Sequence, residues 1–229
     1  MSNDVLTKEE QNEQIAIKNG RTLDEQISRV DQFATESNEK MLVAALLKSA
    51  RRAYQHLFTG RKDNDSTQAA WACRNLLELR IFAKYIVQSE ANRKRFIQDF
   101  FIDMEQMAEV QKKITIQVAP DISIDENDAF ISGMRKMQKE LGAEGHEYLR
   151  AREEARTLGL EEEFNVMNKV CSKYVHPTAL SIWSIERERG GTLNGVLVGM
   201  GCKYLAELLI DLIPFIQTLP GMPALHPFP

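Results

Sequence analysis

The stretch that most limits what this chain can fold into is Trp71 to Gln88, WACRNLLELRIFAKYIVQ. Eighteen residues pass without proline or glycine, and at a period of 3.6 the apolar ones cover two opposite stripes. Trp71, Ile81, Phe82 and Tyr85 form one stripe; Ala72, Leu76, Leu79, Ala83 and Ile86 form the other. Only Arg80, Lys84 and Gln88, spaced four apart, are left as a narrow face for water. Such a helix must be enclosed by others, so it predicts an all-α multi-helix bundle with a central buried helix near residues 66–88. Arg74 and Glu78 fall inside the first apolar stripe. A charged pair there either satisfies itself or lines a cleft, because an unpaired buried charge is very costly.

Punctuation along the chain divides the rest. Residues 1–20 read as a polar lead-in ending at Gly20, residues 21–219 as a single helical domain, and 220–229 as a Pro-rich tail. Thr22 and Glu25 have capping-box spacing, and the apolar pattern from Leu23 runs towards a stop at Gly60, with a break near Ser37-Asn38. Asp65 or Ser66 caps the central helix, and Ser89 the next, which Val118-Ala119-Pro120-Asp121 interrupts. Asp125 opens a shorter helix to Gly142, Gly159 closes a charged segment, and another helix stops at His176-Pro177. A further short helix is expected over residues 178–189, and the last from about Thr192 to Leu219. ITIQVAP is the one candidate strand.

Several function classes lose their footing. A formal charge of −4 provides no overall drive towards nucleic acid, and the basic clusters are scattered among acids. The four histidines are isolated and no paired-cysteine, HExxH or DxDxDG spacing occurs, so no metal and no cofactor is expected. Glycine-rich nucleotide loops and a GxSxG elbow are absent. Cys73, Cys171 and Cys202, odd in number and without a framework, suggest reduced thiols in a cytoplasmic protein. The first residues, MSNDVLTKEEQNEQ, are polar and acidic with no apolar h-region, so no secretory signal is expected. The last helix is strongly apolar, but Lys203, Glu207 and Asp211 argue against membrane insertion. Its Gly191, Gly195 and Gly199 form a small-residue ridge that would admit another helix, in this molecule or in a homodimer.

Two stretches carry chemistry. Arg51 and His56 have the R-x4-H spacing of metal-independent RNases: a guanidinium can hold a phosphate while an imidazole moves a proton. Capping of a helix end accounts for the same pair. His176 precedes a proline, which pushes it out of the α region where a helix breaks. Ser172 lies one turn earlier.

CRNLLEL (73–79), KYI (84–86), NRKRFIQDF (92–100) and CSKYVHPTALS (171–181) together resemble a group of uncharacterised bacterial helical proteins with an R-x-x-x-E helix and an S-x-x-V-H-P segment. More distantly they resemble the HEPN class, which includes RNases of stress and phage defence. The resemblance implies that Arg74, Glu78 and His176 form a polar cluster, with Asn75, Ser172 and Lys173 as neighbours. As a site, Arg74 would bind the phosphate of RNA or a nucleotide, Glu78 would orient it, and His176 would act as acid or base. The alternative is a buried network tying two core helices together, in a non-catalytic interaction or oligomerisation module. Arg74 departs from the HEPN pattern, since no histidine follows four to six residues on.

Overall fold

The computed structural model describes residues 8–119, 121–143, 148–176 and 192–222. Among them are eight α-helices, one 3₁₀ turn (Ala34–Glu36) and no strand. They are α1 (Lys8–Asp31), α2 (Asn38–Lys62), α3 (Ser66–Gln88), α4 (Glu90–Val118), α5 (Asp125–Leu141), α6 (Ala151–Thr157), α7 (Glu161–Val175) and α8 (Thr192–Thr218). The chain is an all-α multi-helix bundle. The helix expected over 178–189, with Gly190 and Gly191, lies outside the described residues.

Three helix starts follow from single side chains. The Ser37 hydroxyl accepts from Lys40 N at 3.2 Å and starts α2. Asp65 Oδ1 accepts from Gln68 N at 3.0 Å at the head of α3. Ser89 accepts from Asn92 N at 3.1 Å and separates α4 from α3. Each satisfies an N–H that has no partner within its own helix. Gly142 (φ 66°) ends α5 in the left-handed region that favours glycine.

Two expected boundaries fail. α1 runs without interruption from Lys8 through Gly20 and Thr22, so no helix starts at a capping box there. Gly20 packs instead on α2: a Cβ at that position would lie 3.4 Å from the Tyr54 ring. Nor does Gly60 stop α2, which continues two residues further. A Cβ on Gly60 would sit 2.7 Å from Ala69 N, so this glycine lets the start of α3 pass close by. ITIQVAP is helical through Val118.

The chain divides into two compact units, Met1–Val87 with Ala151–Pro229, and Gln88–Arg150. In the first, α1, α2 and α8 pack on one another, and α6 on α7. Its fully buried side chains include Leu23 of α1, Leu57 of α2, Leu76 and Ile81 of α3, and Leu205, Leu208 and Leu212 of α8. Tyr54 Oη donates to Ala16 O at 2.7 Å, joining α2 to α1. At Gly201 three helices meet, since a Cβ there would lie 2.5 Å from Leu57 Cδ2 and 3.3 Å from Leu76 Cδ1. In the second unit α4 and α5 pack as an antiparallel-connected helical hairpin, with Ile131 and Ala108 buried.

α3 has the enclosed character expected of it, with eleven buried residues, but it is rotated. Arg80, assigned to water, is only 7% exposed, while Trp71, assigned to the core, is 39% exposed. Ala69, Ala70, Ala72, Cys73 and Ala83 are all buried, and their small volume admits neighbouring helices on the side where Arg80 lies. Trp71, Arg74, Asn75 and Glu78 share the opposite, partly exposed side.

Candidate functional site

The buried guanidinium is neutralised by acids from two other helices. Arg80 Nη1 donates to Glu163 Oε2 of α7 at 2.6 Å, and its Nε lies 2.7 Å from Glu207 Oε2 of α8. Lys203, one turn before Glu207, pairs with Glu163 Oε1 at 2.5 Å. The Arg80 guanidinium lies 5.6 Å from the centre of the buried Tyr204 ring. Burial pushes the Glu163 carboxyl up, but hydrogen bonds from Lys203 and Arg80 outweigh it and hold the group below the usual carboxylate range. Four charges thus close on themselves and tie α3, α7 and α8 together. Sequence reasoning missed Arg80; the signal was the Lys203/Glu207 pair on an otherwise apolar helix, which called for partners.

Arg74 and Glu78 are brought together, but with each other and near the surface. Arg74 Nε donates to Glu78 Oε1 at 3.0 Å, and the two side chains are 31% and 29% exposed. The pair lies within one helix and is half-buried, so by itself this bond joins no two helices. No other partner for the Arg74 terminal nitrogens occurs among the described residues. Asn75 Nδ2 donates to Trp71 O at 2.7 Å, one turn back.

Around Trp71 lies a mixed polar and aromatic patch. His56 of α2 meets the Trp71 ring edge-on, with centroids 5.3 Å apart. Gln68 Nε2 lies 3.0 Å from His56 Nδ1; an amide nitrogen donates, so Nδ1 accepts and Nε2 carries the proton. Arg52, one turn earlier on α2, is exposed. Arg51 points elsewhere, its Nε 2.8 Å from Asp24 Oδ1 of α1. Five helical residues rotate the chain by about 140°, so Arg51 and His56 do not share a face. Neither caps a helix end, because α2 continues to Lys62.

α7 runs beside this turn of α3. Cys171 and Cys73, both buried, share a hydrogen bond between their thiols. That bond and then burial push the Cys73 thiol up; the same bond, with help from the Arg74 charge, holds Cys171 below its ordinary value. Farther along α7, Ser172 is half-buried and Lys173 exposed. His176 is exposed at the C-cap in extended backbone (φ −99°, ψ 146°), as a residue before proline should be. Its N–H donates to Ser172 O at 3.3 Å.

Among the described residues no group of three or more His, Cys, Asp or Glu side chains is placed to hold a metal ion, and no helix is long and apolar enough to cross a membrane. A family model described as a family of unknown function, DUF5677, matches residues 40–192. The chain belongs to that family. The match takes in α2 to α7 and so covers Arg74, Glu78, His176 and the Trp71 patch, while α1 and nearly all of α8 lie beyond it. Comparison with curated proteins and with solved structures returns no match.

Proposed function

We propose that the first unit recognises RNA or a nucleotide on the exposed side of α3, as a HEPN-like domain would. The observation that carries the reading is the juxtaposition of a held guanidinium and a partly exposed indole. Glu78 fixes Arg74 through Nε and leaves the terminal donors for a phosphate, to which a guanidinium binds as a fork. Trp71, 39% exposed, offers a face for a base, and such stacking contributes roughly 1–3 kcal/mol per base. His56 Nε2 and Arg52 supply a further donor and a further cation on α2. Asn75 lies on the same side of α3, and Ser172, Lys173 and His176 extend the proposed surface along α7, with His176 as its acid–base group. Arg51 takes no part, because Asp24 holds it.

Fluorescence anisotropy with labelled single-stranded RNA and with nucleoside triphosphates tests this. Wild type should bind with an affinity that falls as salt rises, since phosphate contacts release counterions. Trp71→Ala and Arg74→Ala should each weaken binding about tenfold or more while leaving the helical circular dichroism intact. Binding unchanged in both variants, or none to any probe, would remove the proposal.

A further inference from the structure

The second unit carries an unfilled seam. One face of α4 is occupied by α5: Gln98 Nε2 donates to Leu141 O at 2.6 Å, Gln138 Nε2 to Phe101 O at 3.1 Å, and Arg135 Nε to Glu105 Oε1 at 2.6 Å. Lys112 pairs with Asp128 farther along the same face. On the other side Phe96, Phe100, Asp103, Met107, Val110 and Ile114 follow one another at alternating steps of four and three. That is the spacing by which one helix packs along another. Yet Phe100, Met107, Val110, Ile114 and Val118 are 53%, 67%, 50%, 54% and 78% exposed. From Phe96 to Val118 the seam is about 33 Å long at 1.5 Å per residue. An exposed seam of this kind, apolar except at Asp103, marks an interaction site.

Charge order along the helix says what covers it. After Glu90 the hairpin runs basic (Arg93, Lys94, Arg95), acidic (Asp99, Asp103, Glu105, Glu109), basic (Lys112, Lys113) and acidic again at the tip (Asp121, then Asp125 and Glu126 of α5). A second α4 laid parallel would set like charge against like at all four places. Laid antiparallel, with the midpoint at Ala108, it sets Arg95 against Asp121 and Asp103 against Lys113. Asp103 is half-buried in the seam and Lys113 exposed beside it, and neither has an ion-pair partner among the described residues. From this self-complementarity we infer that the outer face of α4 is a self-association surface, on which α4 of a second copy of this chain packs antiparallel.

Sedimentation velocity on the full chain, up to about 100 µM, tests the inference. Wild type should dimerise with rising concentration. Asp103→Lys alone and Lys113→Asp alone should each weaken association at least about tenfold, and the double exchange should restore it. In a mixture of isotopically light and heavy protein, a zero-length carbodiimide should join Asp103 of one copy to Lys113 of the other. Met107→Glu, at an exposed position, should leave the circular dichroism unchanged and abolish the dimer. A wild type that stays monomeric throughout overturns the proposal and leaves the face to a different protein. A dimer indifferent to Met107→Glu, or one the double exchange fails to restore, overturns it as well.

Discussion

Replacing Arg80 by alanine removes the buried cation that lies between Glu163 and Glu207. Breaking a buried pair by deleting one partner costs about 3–5 kcal/mol, because the remaining charge is stranded. Here the stranded carboxylates are 23% and 30% exposed and Lys203 stays beside Glu163, which lowers the penalty. Loss of the packed arginine stem adds to it. A net loss of about 3 kcal/mol follows, or roughly 6–12 °C in the melting temperature of a chain this size. Urea denaturation followed by far-ultraviolet circular dichroism at pH 7 measures it directly. The pH dependence has a definite sign. Glu163 has a depressed folded pKa, so its contribution is fully present above its ordinary value of 4.5 and lost as pH falls through the folded value. The deficit of Arg80→Ala should therefore be largest near neutrality and shrink as pH falls below 4.5 and Glu163 takes up its proton. Arg80→Met combined with Glu163→Gln and Glu207→Gln should recover most of the loss, since an apolar substitute for a buried ion cluster is often neutral. A neutral triple variant as unstable as Arg80→Ala, or a deficit that ignores pH, would refute the electrostatic account.

Glycines with opposite surroundings should answer alanine differently. Gly60→Ala meets backbone at 2.7 and 2.9 Å and should destabilise by about 3 kcal/mol, whereas Gly199→Ala, with nothing within 4 Å, should stabilise by about 0.5–1 kcal/mol; thermal melts compare them. Gly195→Ala, equally open, should behave like Gly199→Ala; a weakened association in either variant would place an interface at these two glycines. Tyr54→Phe should cost about 1 kcal/mol in urea titration by removing the hydrogen bond that joins α2 to α1.

Helix content and most caps were legible because they depend on near neighbours: Ser37, Asp65, Ser89 and Gly142 act within a few residues of where they stand. The rotation of α3 was not, because periodicity reports how apolar each stripe is and says little about what stands opposite. Trp71 weighed heavily as a core residue, yet its ring lies at the edge against His56, where a large amphipathic side chain can meet water. Arg80 looked solvated because its partners are 83 and 127 residues away, on α7 and α8. Separation in sequence likewise hid the match between Arg51 and Asp24, so spacing alone made a motif of two residues that face different helices. For the candidate site, Arg74 and Glu78 were legible as an i,i+4 pair, while Gln68 and His56 entered only through the packing of α2 on α3.

The four-charge tie among α3, α7 and α8 also sets how short a working version of this protein can be. Arg80 and Glu163 lie within residues 40–192, but Lys203 and Glu207 do not. A chain cut to those residues would leave Arg80 with one acid instead of two, and Glu163 without its lysine. It would also uncover Leu76 and Ile81 where Leu205, Leu208 and Leu212 had joined them in the core. The stretch by which kinship is recognised is therefore shorter than the stretch that folds, and domain boundaries drawn from the first would sever the second.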